Sequence, residues 1–219
     1  MHDGSTSFGA SYPDTAVGAV VDRCPEIATA LCPDDYICET AELLAAGKIV
    51  GWFQGGAEFG PRALGNRSIL ADPRRREVRD FINRHIKNRE DFRPFAPAVL
   101  EEDASVYFDC AYKSPYMLLV APVRPEWRDV IPSVVHEDNS ARFQTVSASS
   151  NPAFYRLLQE FKRLTGLGIL LNTSFNKRRM PIVETPDQAM DVYVNSELDV
   201  LVMNRQVLIK TSPARELVA

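Results

Sequence analysis

Hydrophobic and polar positions along the chain change period several times, and each change predicts an element. Residues 1–13 are rich in Gly and Ser and follow neither the 3.6-residue nor the two-residue repeat, so they read as a tail or linker. From Asp14 to Asp35 the signals are weak, a small-residue run Ala16 to Val21 and then Pro25 and Pro33 as punctuation, which puts the start of the folded body near residue 36. Glu39 to Ala46 predicts a helix closed by Gly47, and Ile49 to Phe53 a short strand before a glycine-bearing loop, Gly55 to Gly60. Arg75 to Lys87 sets Val78, Phe81, Ile82 and Ile86 at helical spacing, with Arg84 and Lys87 towards the carboxyl end, where cations suit the helix dipole. Strand patterns follow at Ala96 to Leu100, Tyr116 to Val120 and Arg142 to Val146. Pro152 opens a helix carrying Phe154, Leu157, Leu158 and Phe161, ended by Gly166 and Gly168, and Ile169 to Leu171 is a buried strand. Pro186 to Asn195 is a further helix, and Val200 to Met203 with Val207 to Ile209 form a closing hairpin or adjacent strands. Strands and helices interleave without an internal repeat, which predicts an α/β fold with a mixed sheet.

Composition narrows the class. The 219 residues are 45% hydrophobic and 25% charged with net charge -4, an ordinary globular balance that excludes disorder, collagen and coiled coil. No apolar run approaches the ~20 residues that cross a bilayer, and the amino terminus lacks a basic-then-apolar signal pattern, so no membrane association is expected and a cytoplasmic chain is. Cys24, Cys32, Cys38 and Cys110 lack the short paired spacings of a zinc site and read as reduced thiols. His2, His85 and His136 are scattered, so any metal is expected to arrive with a nucleotide.

Charge is distributed unevenly. Residues 62–93 carry ten Lys or Arg against five Asp or Glu in a chain that is negative overall, a positive island of the kind that concentrates phosphates. Arg74, Arg75, Arg76 and Arg79 read as a solvated helix face. Arg62, Arg67 and Ser68 instead sit in turn chemistry around Gly60-Pro61 and Gly65-Asn66, and Lys87, Arg89 and Arg93 are threaded through Phe92, Pro94, Phe95 and Pro97. These cations suit either anion binding, bidentate for Arg and point-like for Lys, or structural pairing with Glu58, Glu90 or Asp91. A second cluster, His136 to Gln144, puts Arg142 and Gln144 on one face of the predicted strand by the two-residue period. A third, Asn172-Thr173-Ser174-Phe175-Asn176, follows a buried strand, where α/β folds tend to bind ligands; its alternative reading is a turn satisfied by its own side chains. No glycine-rich loop ending in Lys-Ser or Lys-Thr is present, so a P-loop is not expected.

Taken together, Gly51-Trp52-Phe53-Gln54-Gly55 and the run Glu58 to Leu70 resemble the signature of the O-carbamoyltransferase family of antibiotic and nodulation-factor biosynthesis. The resemblance continues through Lys87, Arg89-Glu90, Phe92 to Pro97, Ser114 to Met117, His136 to Val146, Leu171 to Asn176 and Pro181 to Val183, and covers roughly residues 37 to 210. It implies the carboxyl-terminal, YrdC-like part of those enzymes, a twisted mixed sheet with flanking helices over 37–219. Residues 1–36 would then be a linker or the remnant of a preceding transferase domain, in which Asp14 matches a metal-ligand aspartate without its histidine partners.

The resemblance further implies formation of carbamoyladenylate from carbamoyl phosphate and ATP, with Mg²⁺ bridging ATP oxygens and no metal site made by protein alone. Lys87, Arg93 and Arg142 are the implied catalytic residues, and Arg62 joins them on the phosphates. Asn66, Arg67, Ser68, Arg89, Gln144, Asn172, Ser174 and Asn176 are implied to bind substrate or nucleotide. A separate actin-like, metal-containing transferase domain is the implied partner. Gly56, Asn139 and Arg179-Met180 depart from the family pattern, which usually has a basic residue, a Gly and a Gly-Glu pair there. Two other readings stay open, a noncatalytic nucleotide-binding subunit and an RNA-binding module. The net negative charge and the lack of an aromatic stacking platform count against the second of these.

Overall fold

The computed structural model describes residues 6–24 and 28–210. Its strands are β1 (Ala28–Leu31), β2 (Val50–Phe53), β3 (Arg67–Ala71), β4 (Ala96–Leu100), β5 (Val120–Pro122), β6 (Ser140–Arg142), β7 (Gln144–Val146), β8 (Ile169–Ser174), β9 (Val200–Met203) and β10 (Gln206–Lys210). Its α-helices are α1 (Asp14–Val21), α2 (Tyr36–Ala45), α3 (Arg76–Phe81), α4 (Ala104–Tyr107), α5 (Pro152–Thr165) and α6 (Pro186–Val194). Eight strands make one mixed sheet in the order β1-β10-β9-β2-β3-β8-β4-β7, in which β2 with β9 and β4 with β7 are parallel and the other neighbours antiparallel. The architecture is α/β, a mixed sheet with flanking helices, as the interleaved pattern predicts.

Local chemistry explains the helix ends. Asp35 accepts from the Cys38 N–H at the start of α2, and Asn151 does the same for Phe154 ahead of Pro152 in α5. Thr185 and Gln188 form a capping box on α6. Gly166 ends α5 in the left-handed conformation that favours glycine. The amphipathic stripe of α5 buries Phe154, Leu157, Leu158 and Phe161 completely, each contributing about 1.5–3 kcal/mol of transfer free energy. α5 packs on α2, and β2, β3, β4, β8 and β9 are buried along their length apart from the end of β8.

Among the differences between the structure and the sequence reading, four change the architecture. The folded body reaches further towards the amino terminus than residue 37: α1 buries Val17, Val20 and Val21 and packs on α6, while β1 pairs with β10 at the sheet edge. Small residues gave little periodic signal there, and tertiary packing supplies what propensity does not. The helix expected over Arg75 to Lys87 is α-helical only to Phe81 and continues as a π-turn, Ile82–Ile86, closed by the Lys87 N–H donating to the Ile82 carbonyl. Tyr116 to Leu119 is a turn instead of strand; Met117 sits buried with Leu64 and Ala96 at φ 55°, and β5 starts only at Val120.

The fourth difference bears on the site. The strand expected over Arg142 to Val146 is two strands, since Arg142 pairs with Val120 in a small separate sheet and Gln144 pairs with Ala98 in the main one. Phe143, fully buried and stacked on Phe108 at 4.5 Å between ring centroids, is the hinge between them.

Gly65 marks the tightest packing near the site. It has φ 104°, and a Cβ added there would lie 2.2 Å from the Phe154 ring, while its carbonyl accepts from Trp52 Nε1 at 2.9 Å. Gly65→Ala is therefore expected to lower stability by about 2–4 kcal/mol, from backbone strain plus overpacking. Urea unfolding reads this directly, and an unchanged midpoint would show that Phe154 moves aside freely.

Candidate functional site

The carboxyl end of β8 is the organising point. Side chains alternate along a strand, so Asn172 and Ser174 face the same side, and β3 and β4 flank them in register, with Ser174 opposite Ser68 and Asn172 opposite Ala96. Three cavities meet at Ser174. A small one of about 100 Å³ is lined by Arg62, Arg89, Arg142, Asn172, Phe95 and Met117 among others. A basic one of about 220 Å³ lies between the Lys87 to Arg93 and Asn176 to Arg179 segments. The largest, about 610 Å³, has apolar walls from Phe8, Phe59, Pro181, Ile182 and Val183 beside Glu58, Glu184 and Asn176.

Cations in the small cavity are left without counterions. No carboxylate of the described residues lies within ion-pair distance of Arg62, Arg89 or Arg142, whereas Arg84 pairs with Asp91 and Arg93 with Glu90. Glu58, an alternative partner on sequence grounds, accepts the Leu64, Asn66 and Arg67 backbone N–H groups on one oxygen. Three buried polar atoms of the small cavity's lining residues have no hydrogen-bond partner among the described residues: Arg62 Nε, Arg142 Nε and Asn172 Oδ1. Burial, and then the neighbouring Arg62 charge, push the Arg142 pKa down. An anion accepting from both guanidinium groups would relieve that repulsion.

Lys87 is brought to the same place by the π-turn. Its ammonium is buried and donates to the Ser174 carbonyl, to Ser174 Oγ at 3.2 Å, to the Asn176 carbonyl at 3.1 Å and to Asn176 Oδ1 at 2.8 Å. Burial first, and Arg89 second, lower its pKa well below the ordinary lysine range. Asn83, also fully buried, fixes the loop that follows: its amide donates to the Asp91 and Arg93 carbonyls at 3.0 Å each, and its oxygen accepts from Arg89 Nε at 2.7 Å. The Arg89 guanidinium then lies over the Phe95 ring, 4.8 Å from its centroid. π-Turns are rare, mostly single-turn features that are frequent at functional sites, and this one aims Lys87 and Arg89.

Of the residues singled out from sequence, Arg62, Lys87, Arg89, Arg93, Arg142, Asn172, Ser174 and Asn176 line these cavities. Four others stand behind them. Arg67 is fully buried and donates to the carbonyls of Gln54 at 2.7 Å, Gly55 at 3.0 Å, Asn66 and Ala10 at 3.2 Å and Glu184 at 3.5 Å, with its guanidinium 3.5 Å over the Phe53 ring. Burial lowers its pKa to about 10, so the cation persists at neutral pH. Ser68 Oγ accepts from the Gly65 N–H, Asn66 ties Gly56 to Asn151, and Gln144 bridges the Leu64 carbonyl and Asn172. Arg142 and Gln144 therefore do not share a ligand-facing surface, because Phe143 sends them into different sheets.

Asn83 and the segment Thr6 to Ala10 escaped the sequence reading, and Glu58 entered it only as a partner for the cations. That segment lies along the glycine loop, with the Gly9 N–H donating to the Ala57 carbonyl and the Phe59 N–H to that of Thr6. Gly56 lets it approach, since a Cβ there would lie 2.6 Å from the Gly9 carbonyl oxygen. Asp14 accepts from Asn204, and no group of three His, Cys, Asp or Glu among the described residues could hold a metal ion. No described helix is long and apolar enough to cross a membrane.

Residues 41–210 match the family described as the carbamoyltransferase C-terminus. Nodulation protein NolO of Bradyrhizobium diazoefficiens is 47% identical, the match covering 83% of this chain and 33% of that one. Nodulation protein U of Rhizobium tropici is 50% identical over 64% of this chain and 24% of its own length. The chain thus spans about a quarter to a third of the curated relatives it matches. Among solved structures, full-length HypF in its phosphate- and nucleotide-bound form superposes with a TM-score of 0.52 at 17% identity, covering 84% of this chain and 23% of that one, which shows a shared fold.

Two outcomes follow from the division between cavity and supporting residues. Arg67→Met, which strips a donor from several buried carbonyls, is expected to lose at least about 3 kcal/mol of stability in chemical denaturation. An equally stable variant would mean water replaces the guanidinium. For Lys87, a folded pKa below the unfolded 10.5 means the unfolded chain holds more protons between the two values, so stability rises with pH there. The stability of wild type relative to Lys87→Met should rise as pH climbs towards 10. It is read below 10 because the unfolded lysine loses its own proton around 10.5, where the rise levels off. A pH-independent difference would put the Lys87 pKa at its ordinary value.

Proposed function

Because the chain belongs to the carbamoyltransferase C-terminus family, we propose that it forms carbamoyladenylate from carbamoyl phosphate and ATP. The observation that carries this reading is the cavity beside Ser174, in which, among the described residues, Arg62, Arg89 and Arg142 lack carboxylate partners and Arg62 Nε, Arg142 Nε and Asn172 Oδ1 lack any partner. Such a pocket offers two guanidinium donors and an amide acceptor to a small anion that also carries an N–H. Carbamate and carbamoyl phosphate have that combination.

In the proposed sequence, hydrolysis of carbamoyl phosphate gives carbamate and orthophosphate. A carbamate oxygen then bonds to the ATP α-phosphorus as the bond from that phosphorus to the bridging oxygen of the β-phosphate breaks, and pyrophosphate leaves with the electron pair. The protein supplies no nucleophile. Its contribution is to hold crowded anions in line and to stabilise the charge on them, work suited to fixed cations in a site shielded from bulk water. Arg62 and Arg142 take the reacting phosphoryl and carbamoyl groups. Lys87 holds Ser174 and Asn176 in place while adding positive charge, and Arg93 serves the triphosphate. The cavity of about 610 Å³, within the range of small-molecule sites and largely apolar, suits the nucleoside. Mg²⁺ would accompany ATP and offset charge on its phosphates; Glu90 is committed to Arg93, whereas Glu58 holds backbone amides on Oε1 and leaves its buried Oε2 without a partner among the described residues. Delivery to a hydroxyl acceptor falls to a separate actin-like, metal-containing transferase domain.

Pyrophosphate release from ATP and Mg²⁺ is expected to require carbamoyl phosphate, and Arg142→Ala to slow it by about 100-fold or more with little change in unfolding midpoint. Nucleotide binding with no release would identify a noncatalytic subunit. Release at the same rate in the variant would remove Arg142 from the site.

A further inference from the structure

Two buried side-chain amides behind the small cavity form a relay whose direction is fixed. The peptide joining Ala63 to Leu64 anchors it: the N–H donates to Glu58 Oε1 at 2.7 Å, and the carbonyl accepts from Asn172 Nδ2 at 3.2 Å. The next peptide is held in the same way, its Gly65 N–H on Ser68 Oγ at 3.2 Å and its Leu64 carbonyl on Gln144 Nε2 at 2.9 Å. A backbone carbonyl only accepts, so each amide must turn its nitrogen towards one. Gln144 Oε1 is thereby aimed at Asn172 and accepts from its Nδ2 at 3.0 Å. Both Asn172 amide protons are then used. The relay ends in Asn172 Oδ1, a buried acceptor with no partner among the described residues, on a side chain that lines the small cavity. Turning the Asn172 amide over would set its oxygen against the Ala63 carbonyl and Gln144 Oε1, and the Leu64 carbonyl keeps Gln144 from turning with it. The Glu58 carboxylate polarises the first peptide in the same sense.

We propose that Gln144 is a positioning residue that locks the Asn172 amide with its oxygen as the free end, so that the small cavity takes an acyl group bearing an amino donor and rejects its methyl isostere; the proposal rests on the reading of that cavity given above. Gln144 does not line the cavity and acts through Asn172. The other polar groups of the wall do not compete for the donor. Arg62, Arg89 and Arg142 only donate, and Ser174 Oγ is already held between Lys87 and Asn176 Oδ1. Ala63, Ala96 and the buried Met117, kept at φ 55°, close the rest of the space with apolar surface at about 100 Å³, room for a carbamoyl group. An acetyl group has the same size and the same oxygens but a methyl where carbamoyl has its amino group. In this cavity that methyl leaves Asn172 Oδ1 buried and unpaired, and a site built to accept a hydrogen bond discriminates strongly against the analogue that lacks it.

Calorimetric titration of the full chain with two stable phosphonates tests this without turnover: phosphonoacetamide, which keeps the amino group, and acetonylphosphonate, which has a methyl in its place. Wild type is expected to bind phosphonoacetamide at least about tenfold more tightly, the cost of one buried acceptor left unpaired. Asn172→Leu should bring the two affinities within about twofold of each other. Gln144→Met, which leaves Asn172 only the Ala63 carbonyl to hold it, should cut the ratio at least about threefold while acetonylphosphonate still binds, so retained binding of that ligand reports an intact cavity. Equal affinities in wild type would overturn the proposal. So would an unchanged ratio in Gln144→Met, or an equal loss of both ligands there, which would make Gln144 purely structural. Failure of the adenylation reads differently: the phosphonates and the variants behave as stated, yet no pyrophosphate is released from ATP and carbamoyl phosphate.

Discussion

A cation buried without a carboxylate partner sets the geometry of this molecule. Arg67 stands at the first position of β3, fully enclosed, and its guanidinium gathers carbonyls from the turn after β2, from the amino-terminal segment and from the segment before α6. Those three pieces of chain are distant in sequence, and one planar group with five fixed donors defines their separation. Stacking on Phe53 covers its face, so the charge is stabilised by backbone dipoles and a ring instead of a counterion. Glu58 completes the arrangement from the other side by accepting the Leu64, Asn66 and Arg67 amides of the turn. The glycine loop, and through it one wall of the largest cavity, takes its shape from these two opposite charges that do not pair with each other.

The cavity cations follow a contrasting logic. Arg84 and Asp91 or Arg93 and Glu90 neutralise each other at the rim, where water screens them. Inside, Arg62 and Arg142 line the same small space, and their Nε atoms have no partner among the described residues. An anion bound between them would stabilise the folded state, so occupancy and folding would be coupled. Lys87 differs again, since the Ser174 to Asn176 turn fully engages its protons and the side chain behaves as a strut with a charge on it.

Much of this was legible before any coordinates, and the limits have physical causes. α5 and α6 announce themselves through cap residues and apolar spacing, and the closing hairpin through β-branched runs. β3 was hidden because Gly65-Asn66-Arg67-Ser68 reads as a turn, although Arg67 and Ser68 are already paired with Phe53 and Trp52. For the same reason Arg67, Ser68 and Asn66 read as ligand-binding residues: sequence shows a cation in turn chemistry but not whether it faces a pocket or the carbonyls behind it. Arg142 and Gln144 read as one face because alternation assumes one continuous strand, and no local signal marks the switch at Phe143. The cluster at the end of β8 and the island residues Arg62, Lys87, Arg89 and Arg93 did come together, since a buried strand ending in polar residues leaves them one direction to face. Asn83, an amide inside an apolar stripe, carried no legible role until its loop was seen.

The π-turn at Ile82–Ile86 amounts to one extra residue wound into a helix, and Asn83 is the latch that keeps it there. Removing a single residue from it would let the α-helix run straight, with better backbone bonding, and would rotate everything beyond by about 100°. Lys87 and Arg89 would then swing away from the carboxyl end of β8 while the hydrophobic stripe before them stayed buried. The position of the cationic cluster is thus a matter of residue count as much as residue type. A shortened chain could keep every charged side chain and its core, and still present an empty pocket.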